Sequence, residues 1–241
     1  LTVRGLRGRT VHGLELDVMP GEIVGLAGIT GSGREHVLGL IVGQTPREDG
    51  EIELDGKPVA NYQPRRAMAA GVAFVPAERA LRGTIAPMNV RENLTITDVR
   101  RFVKAMRMSR RSEVDETKVW VERLSVKTSS TESPIGSLSG GNQQKVMFGK
   151  ALRLSPKMLL LDEPTQGVDI GAKDQIHSLV ERAAADGVAT LVASTDTDEL
   201  VRLCDRVIVL VDGRAVATLR GADITAEMIE HTQLQTSGRV R

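Results

Sequence analysis

Leu138-Ser139-Gly140-Gly141-Asn142-Gln143-Gln144-Lys145 opens the stretch on which the reading of this sequence turns. It runs in helical phase to Lys157, then reads Met158-Leu159-Leu160-Leu161-Asp162-Glu163-Pro164-Thr165 and closes on Gly167-Val168-Asp169. Ser139, Gly140 and Gly141 carry little bulk, so a ligand can approach the backbone closely there. A helix is expected from about Asn142, with Val146, Met147, Gly149, Lys150, Ala151 and Leu152 in roughly helical phase. Unpaired amides at such a helix start attract anions, phosphate above all. Met158 to Leu161 is a short apolar run of the kind found in a strand covered on both faces. Asp162 and Glu163 stand at its carboxyl end, where open α/β sheets place their chemistry, and Pro164 stops the strand.

Working outward, Glu22-Ile23-Val24-Gly25-Leu26-Ala27 reads as an apolar strand. Gly28-Ile29-Thr30-Gly31-Ser32-Gly33-Arg34-Glu35 follows, then an amphipathic helix through Val37, Leu38, Leu40, Ile41 and Val42. Strand, glycine loop and helix form the setting that a phosphate-binding loop requires. A strand-to-helix turn that binds nothing has the same outline.

The rest of the chain reads as punctuated short elements. Leu14 to Val18 alternates with period two, Pro20-Gly21 is a turn, and Glu51 to Gly56 alternates and ends in the hairpin signal Asp-Gly. Arg65 to Gly71 suggests a helix ending at glycine, and Gly71 to Pro76 a strand. The basic run from Arg100 to Arg111 fits a solvated helix face or a contact with a partner's loops or acidic lipid heads. Ser112 to Leu124 looks helical, with Val114, Val119, Trp120 and Val121 among its apolar positions and Trp120 in the core. Lys127 to Pro134 is a linker. A helix is expected from about Ala172 to Ala185, and strands at Ala189–Ser194 and Val207–Leu210, with a turn at Asp212-Gly213. The polar tail, residues 233–241, should fray.

Composition narrows the function classes. A formal charge of +1 on 241 residues gives no global field for nucleic acid, and one Trp and one Tyr leave little for stacking bases. The single cysteine, Cys204, excludes an internal disulfide and reads as a buried, inert thiol. No apolar run approaches the ~18 residues of a membrane span, and no signal peptide stands at Leu1. The absence of an initial Met suggests a fragment of a longer protein. His12, His36, His177 and His231 read as surface or satisfied structural histidines.

These motifs together strongly resemble the ATP-binding cassette (ABC) ATPases. Leu138 to Gln143 looks like their signature motif, Leu159 to Glu163 like their Walker B strand, and Gly167-Val168-Asp169 like the D-loop. The resemblance implies an α/β fold. Its core is a P-loop NTPase (RecA-like) domain, with an N-terminal antiparallel β subdomain and an inserted α-helical subdomain at about residues 80–157, all within one cassette spanning 1–241. Met88 to Leu94 resembles the entry to that helical subdomain. ATP and Mg²⁺ are the implied ligands. Gly28, Ile29, Thr30, Gly31, Ser32, Gly33, Arg34 and Glu35 occupy the Walker A positions, but Arg34 replaces the motif's Lys and Glu35 its Ser or Thr. Arg keeps the charge without the compact ammonium. Glu35 adds like charge beside a triphosphate, although a carboxylate can still ligate Mg²⁺. Ala77 stands at the Q-loop glutamine, where it can coordinate nothing, and whether Glu78 substitutes is open. Thr195 stands at the switch histidine and can donate a hydrogen bond but not hold a proton as His does.

In the family's mechanism Asp162 would orient Mg²⁺ through water, and Glu163 would act as base or water positioner. Ser139, Gly140 and Gly141 would cap the γ-phosphate bound by a second cassette, with Asp169 at the seam. Pro20 to Gly28, the Gly31-Ser32-Gly33-Arg34 loop and Leu138 to Lys145, with its Asn142-Gln143-Gln144-Lys145 extension, are similar to the second nucleotide-binding domain of ribose/galactose/xylose-type monosaccharide importers. That likeness implies an ATP-binding component of a simple-sugar importer, peripheral on the cytoplasmic face of the inner membrane. Its partners would be a second cassette (the N-terminal half of the same full-length chain, or a second copy), transmembrane permease subunits and, indirectly, a periplasmic or extracellular solute-binding protein, with no nucleic acid. Such a domain should turn over ATP weakly or not at all by itself. A non-hydrolysing nucleotide-binding regulatory module and a soluble ABC ATPase not linked to transport remain the alternatives.

Overall fold

The structure is a computed structural model that describes residues 1–104 and 106–237. The chain divides into two compact units, one formed by Leu1–Phe74, Pro156–Glu163 and Val180–Arg241, the other by Val75–Ser155 and Pro164–Leu179.

The first unit opens with β1 (Thr2–Gly8), β2 (Val11–Asp17), β3 (Ile23–Ala27) and α1 (Arg34–Val42). β4 (Asp49–Leu54), β5 (Lys57–Pro58), α2 (Pro64–Ala70) and β6 (Val72–Val75) follow. An antiparallel sheet has the order β2-β1-β4-β5. The alternation seen in the sequence points Leu14 and Leu16 of β2, and Ile52 and Leu54 of β4, into the core. Asp55 and Gly56, at φ 51° and 69°, make the two-residue turn from β4 to β5.

The second unit holds α3 (Val90–Thr95), β7 (Val103–Lys104), β8 (Arg107–Met108), α4 (Arg110–Arg123) and α5 (Gly140–Leu152). The chain then returns to the first unit for β9 (Met158–Asp162), and α6 (Ile170–Ala185) begins in the second unit and ends in the first. β10 (Ala189–Ala193), α7 (Thr197–Leu203), β11 (Arg206–Val211), β12 (Arg214–Arg220) and α8 (Ala226–Ser237) complete the first unit.

The main sheet has the order β12-β11-β3-β10-β9-β6. β3 lies parallel between β11 and β10, β9 is parallel to β10, and β12 pairs antiparallel with β11. β3, β10 and β11 are buried along their whole lengths, which explains their unbroken apolar runs. α1 buries Val37, Leu38, Leu40, Ile41 and Val42 in a core shared by both sheets. Cys204 is buried, and burial pushes its thiol pKa well up, so it is inert as expected.

In the second unit, Asn89 and Glu92 form a reciprocal capping box that starts α3. Gly149 of α5 lets Leu94 and Leu124 approach: a Cβ there would meet their side chains at 2.7 and 2.5 Å.

Several sequence expectations need correction. α5 begins at Gly140 rather than Asn142, because Ser139 takes the extended conformation of a helix cap just before it. α6 begins at Ile170 rather than Ala172; Asp169 Oδ1 accepts from the Ala172 amide at 2.9 Å and so caps that first turn. The basic run at 100–111 is not one helix face. It comprises the end of a 3₁₀ turn (Ile96–Phe102), the β7–β8 hairpin and the start of α4, and Ala105 lies outside the described residues.

The face of α4 also differs. It buries Glu113 and Thr117, while Val119 is 62% exposed and Trp120 half-buried beside the Arg123 guanidinium, 4.9 Å from the ring centre. The reason is electrostatic. Buried Arg91 needs counter-charge, and Glu113 supplies it at 2.6 Å while also accepting from Thr95 Oγ1 at 2.5 Å. α8 continues through Ser237 with Gln233 buried, past the point where the tail was expected to fray; residues 238–241 lie outside the described residues.

Candidate functional site

The glycine loop connects β3 to α1. The Ser32 amide donates to the Ile29 carbonyl at 3.0 Å, and the Gly213 amide donates to the Ser32 carbonyl at 2.8 Å. Gly31 and Gly33 sit at φ 87° and 93°, a backbone that side chains rarely adopt. Ile29 and Thr30 are exposed at the tip. Arg34, the first residue of α1, is only 4% exposed, and it points inward. Its Nη2 lies 2.9 Å from Glu163 Oε1, and its Nε donates to the Gly28 carbonyl at 3.2 Å. Its Nη1 is buried without a hydrogen-bond partner. Glu35 folds back over the loop: Oε1 accepts from the Gly31 amide at 3.0 Å, and Oε2 is buried without a partner.

β9 delivers Asp162 at its last position, and Glu163 follows at φ 46°. A left-handed backbone at a non-glycine residue is uncommon and gathers at functional positions. The Glu163 amide donates to the Ala193 carbonyl at 2.8 Å, which fixes the residue against the end of β10. Its carboxylate accepts from the Thr195 amide at 3.0 and 3.2 Å and from Thr195 Oγ1 at 3.2 Å. Ser194 Oγ donates preferentially to Glu199, at 2.7 Å against 3.5 Å to Glu163. The fold therefore brings Arg34, Glu163 and Thr195 together, and Glu163 is saturated by donors of its own chain. His177 is buried within the second unit, His12 and His231 are exposed and His36 is half-buried.

The second unit carries the helix start. α5 is 13 residues long, and no side chain caps its first amides. Ser139 is exposed, and its Oγ accepts from Asn142 Nδ2 at 2.9 Å, which leaves the hydroxyl proton to donate outward. The following polar residues hold this start in place. Gln143 Nε2 donates to the Leu138 carbonyl at 2.9 Å, Gln144 Nε2 to the Pro164 carbonyl at 2.8 Å and Lys145 Nζ to the Ser125 carbonyl at 2.8 Å. The glycines answer to packing as well as access. A Cβ at Gly141, which is buried, would meet the Ala172 Cβ at 2.4 Å, and one at Gly140 would meet Arg79 Nη2 at 2.8 Å.

Arg79 was missed in the sequence reading. Its Nη1 and Nη2 donate to the carbonyls of Gln166 and Gly167 at 2.8 and 3.2 Å, placing a guanidinium between the Gly167-Val168-Asp169 turn and the start of α5. The only sequence signal is an Arg two residues after Ala77. Glu78, left open as a substitute for the missing glutamine, pairs with Arg82 at 3.0 Å on the surface.

A nucleoside triphosphate with Mg²⁺ can be tested against both places. At the glycine loop the residues do not fit it as folded: the loop's cation is committed to Glu163, and Glu35, a candidate metal ligand, occupies the Gly31 amide. At the start of α5 the uncapped amides and the outward Ser139 hydroxyl do fit a phosphate.

A family model described as ABC transporter matches residues 11–166. A ribose import ATP-binding protein of Streptomyces coelicolor is 41% identical over 95% of this chain, which covers 46% of that protein. Proteins with the same description from Geobacillus kaustophilus and Pseudomonas putida are 38% and 39% identical, each over 95% of the chain and 46% and 45% of their own lengths. The chain thus spans about half the length of these relatives. Among solved structures, a nucleotide-free ATP-binding cassette from an ABC transporter aligns with a TM-score of 0.80 at 22% identity, covering 95% of this chain and 94% of that one. The ADP conformation of another ATP-binding cassette aligns with a TM-score of 0.78 at 23% identity, covering 96% and 93%. These likenesses concern the fold.

Proposed function

The chain belongs to the ATP-binding cassette family of ABC transporters, and from that premise we propose that it is the signature-donating cassette of a simple-sugar importer. Its place would be the second cassette of a tandem, beside an active cassette in the same longer chain; pairing with a second copy is the other arrangement. Permease subunits would anchor it at the cytoplasmic face of the membrane, and a solute-binding protein would act through them. The ribose import relatives favour a monosaccharide cargo. No helix of the described residues is long and apolar enough to cross a membrane, which accords with a peripheral role.

The observation that carries this reading is the exposed Ser139 at the uncapped start of α5. Oriented amides and one hydroxyl donor can meet the γ-phosphate of ATP held by the opposing cassette, and such preorganised donors stabilise charge without reorganising. Asp169, fixed by its bond to the Ala172 amide, would sit at the seam. In this reading, closure of the pair on ATP drives the permease, and the reacting nucleotide is the neighbour's. Asp162 and Glu163 keep the family's positions for metal and base.

Uptake of radiolabelled ribose and related simple sugars by host cells tests the proposal. Ser139→Arg should bring uptake of at least one sugar to background without loss of the protein from the membrane fraction. Unchanged uptake of every sugar would overturn it.

A further inference from the structure

We infer that the glycine loop of this chain is closed to nucleotide by its own carboxylates, with Glu163 and Glu35 standing where phosphate oxygens would. The inference rests on the cassette reading above and assigns Arg34, Glu35 and Glu163 as the residues that decide whether this loop takes a ligand.

Two independent contacts carry it. The Arg34 guanidinium, nine-tenths and more buried, is bound to Glu163 Oε1 at 2.9 Å and to the Gly28 carbonyl at 3.2 Å. The Gly31 amide is bound to Glu35 Oε1 at 3.0 Å. A phosphate-binding loop offers two kinds of group, a fixed cation and backbone amides. Here one of each is taken by an internal anion.

The pairing is mutual in its consequences. Glu163, 12% exposed, also accepts from the amide and hydroxyl of Thr195, so its lone pairs point to fixed donors rather than to a water it could activate. Arg34 and Thr195 stand at the two positions where the family's lysine and histidine are replaced, and both replacements bind the same carboxylate. A triphosphate entering the loop would meet two like charges, and it would have to break a mostly buried ion pair to reach the guanidinium. Removing the charge of Glu163 weakens its hold on Nη2, and Nη1 is already without a partner. A released Arg34 could then take a phosphate with two parallel bonds.

The test is ADP binding to the 241-residue chain by calorimetry, without Mg²⁺. ADP has no γ-phosphate for a signature to cap, so pairing of cassettes does not enter the readout. Weak binding by the wild type, a gain of about tenfold or more in Glu163→Gln, and loss of that gain in Glu163→Gln with Arg34→Ala are expected. Glu35→Ala gives a second, smaller gain by freeing the Gly31 amide, and it stands if Glu163→Gln fails to fold, as thermal melting would show. No gain in either folded variant would overturn the inference and leave the signature reading standing, since that one is judged by the Ser139 uptake assay. Tight ADP binding by the wild type would equally overturn it.

Discussion

At the scale of single residues, the fold asks more of its small side chains than ligand access. Gly141 has no room for a methyl group, because its Cβ would lie 2.4 Å from that of Ala172. Gly141→Ala should therefore destabilise the protein by about 1–3 kcal/mol, the usual range for overpacking, read as a lower midpoint in urea unfolding; a midpoint equal to wild type would show that α5 and the start of α6 adjust freely. The sequence marked Gly140 and Gly141 only as positions a ligand could approach. Spacing along a chain cannot reveal that Ala172 and Arg79 close on them from distant positions. Arg34 and Glu35 were legible as departures from a motif, whereas their actual partners, Glu163 and Gly31, depend on which way two flexible side chains turn.

At the scale of elements, the apolar strands were legible because burial on both faces demands unbroken runs, as in β3, β9 and β10. The helices of the second unit were less so. α4 turns its polar Glu113 and Thr117 inward, and the periodicity of Val114, Val119, Trp120 and Val121 pointed the other way. What overrides periodicity is the buried Arg91, bound to Glu113 at 2.6 Å and to Glu132 at 2.7 Å. The bond from Arg91 holds the Glu132 carboxyl below its ordinary value of 4.5 despite some burial, and Arg91 and Arg110 add attraction. A carboxylate with a depressed pKa in the folded state contributes stability above its unfolded pKa and loses it as pH falls through the folded value. Stability should thus be flat with respect to this group at neutral pH and decline below about pH 4.5. Thermal melting as a function of pH checks this: Glu132→Gln should soften the acid decline, and an identical acid profile in the variant would contradict the assignment.

At the scale of the whole molecule, the candidate site residues fall into two groups, one in each unit. The first holds the glycine loop, Asp162, Glu163 and Thr195; the second holds the start of α5, Arg79 and the turn through Asp169. Fold class was legible because the signature helix and the acid-bearing strand occur together in one short stretch, and the cassette structures bear it out. The replaced residues were legible only as a list; the geometry adds that two of them, Arg34 and Thr195, bind the same carboxylate, Glu163. In the proposed function this chain presents a γ-phosphate cap while its own loop does not support turnover. Steady-state ATP hydrolysis by the purified chain with Mg²⁺ tests it most directly. Phosphate release should stay at background, the same in wild type and Glu163→Gln. Robust Mg²⁺-dependent turnover that Glu163→Gln abolishes would contradict it.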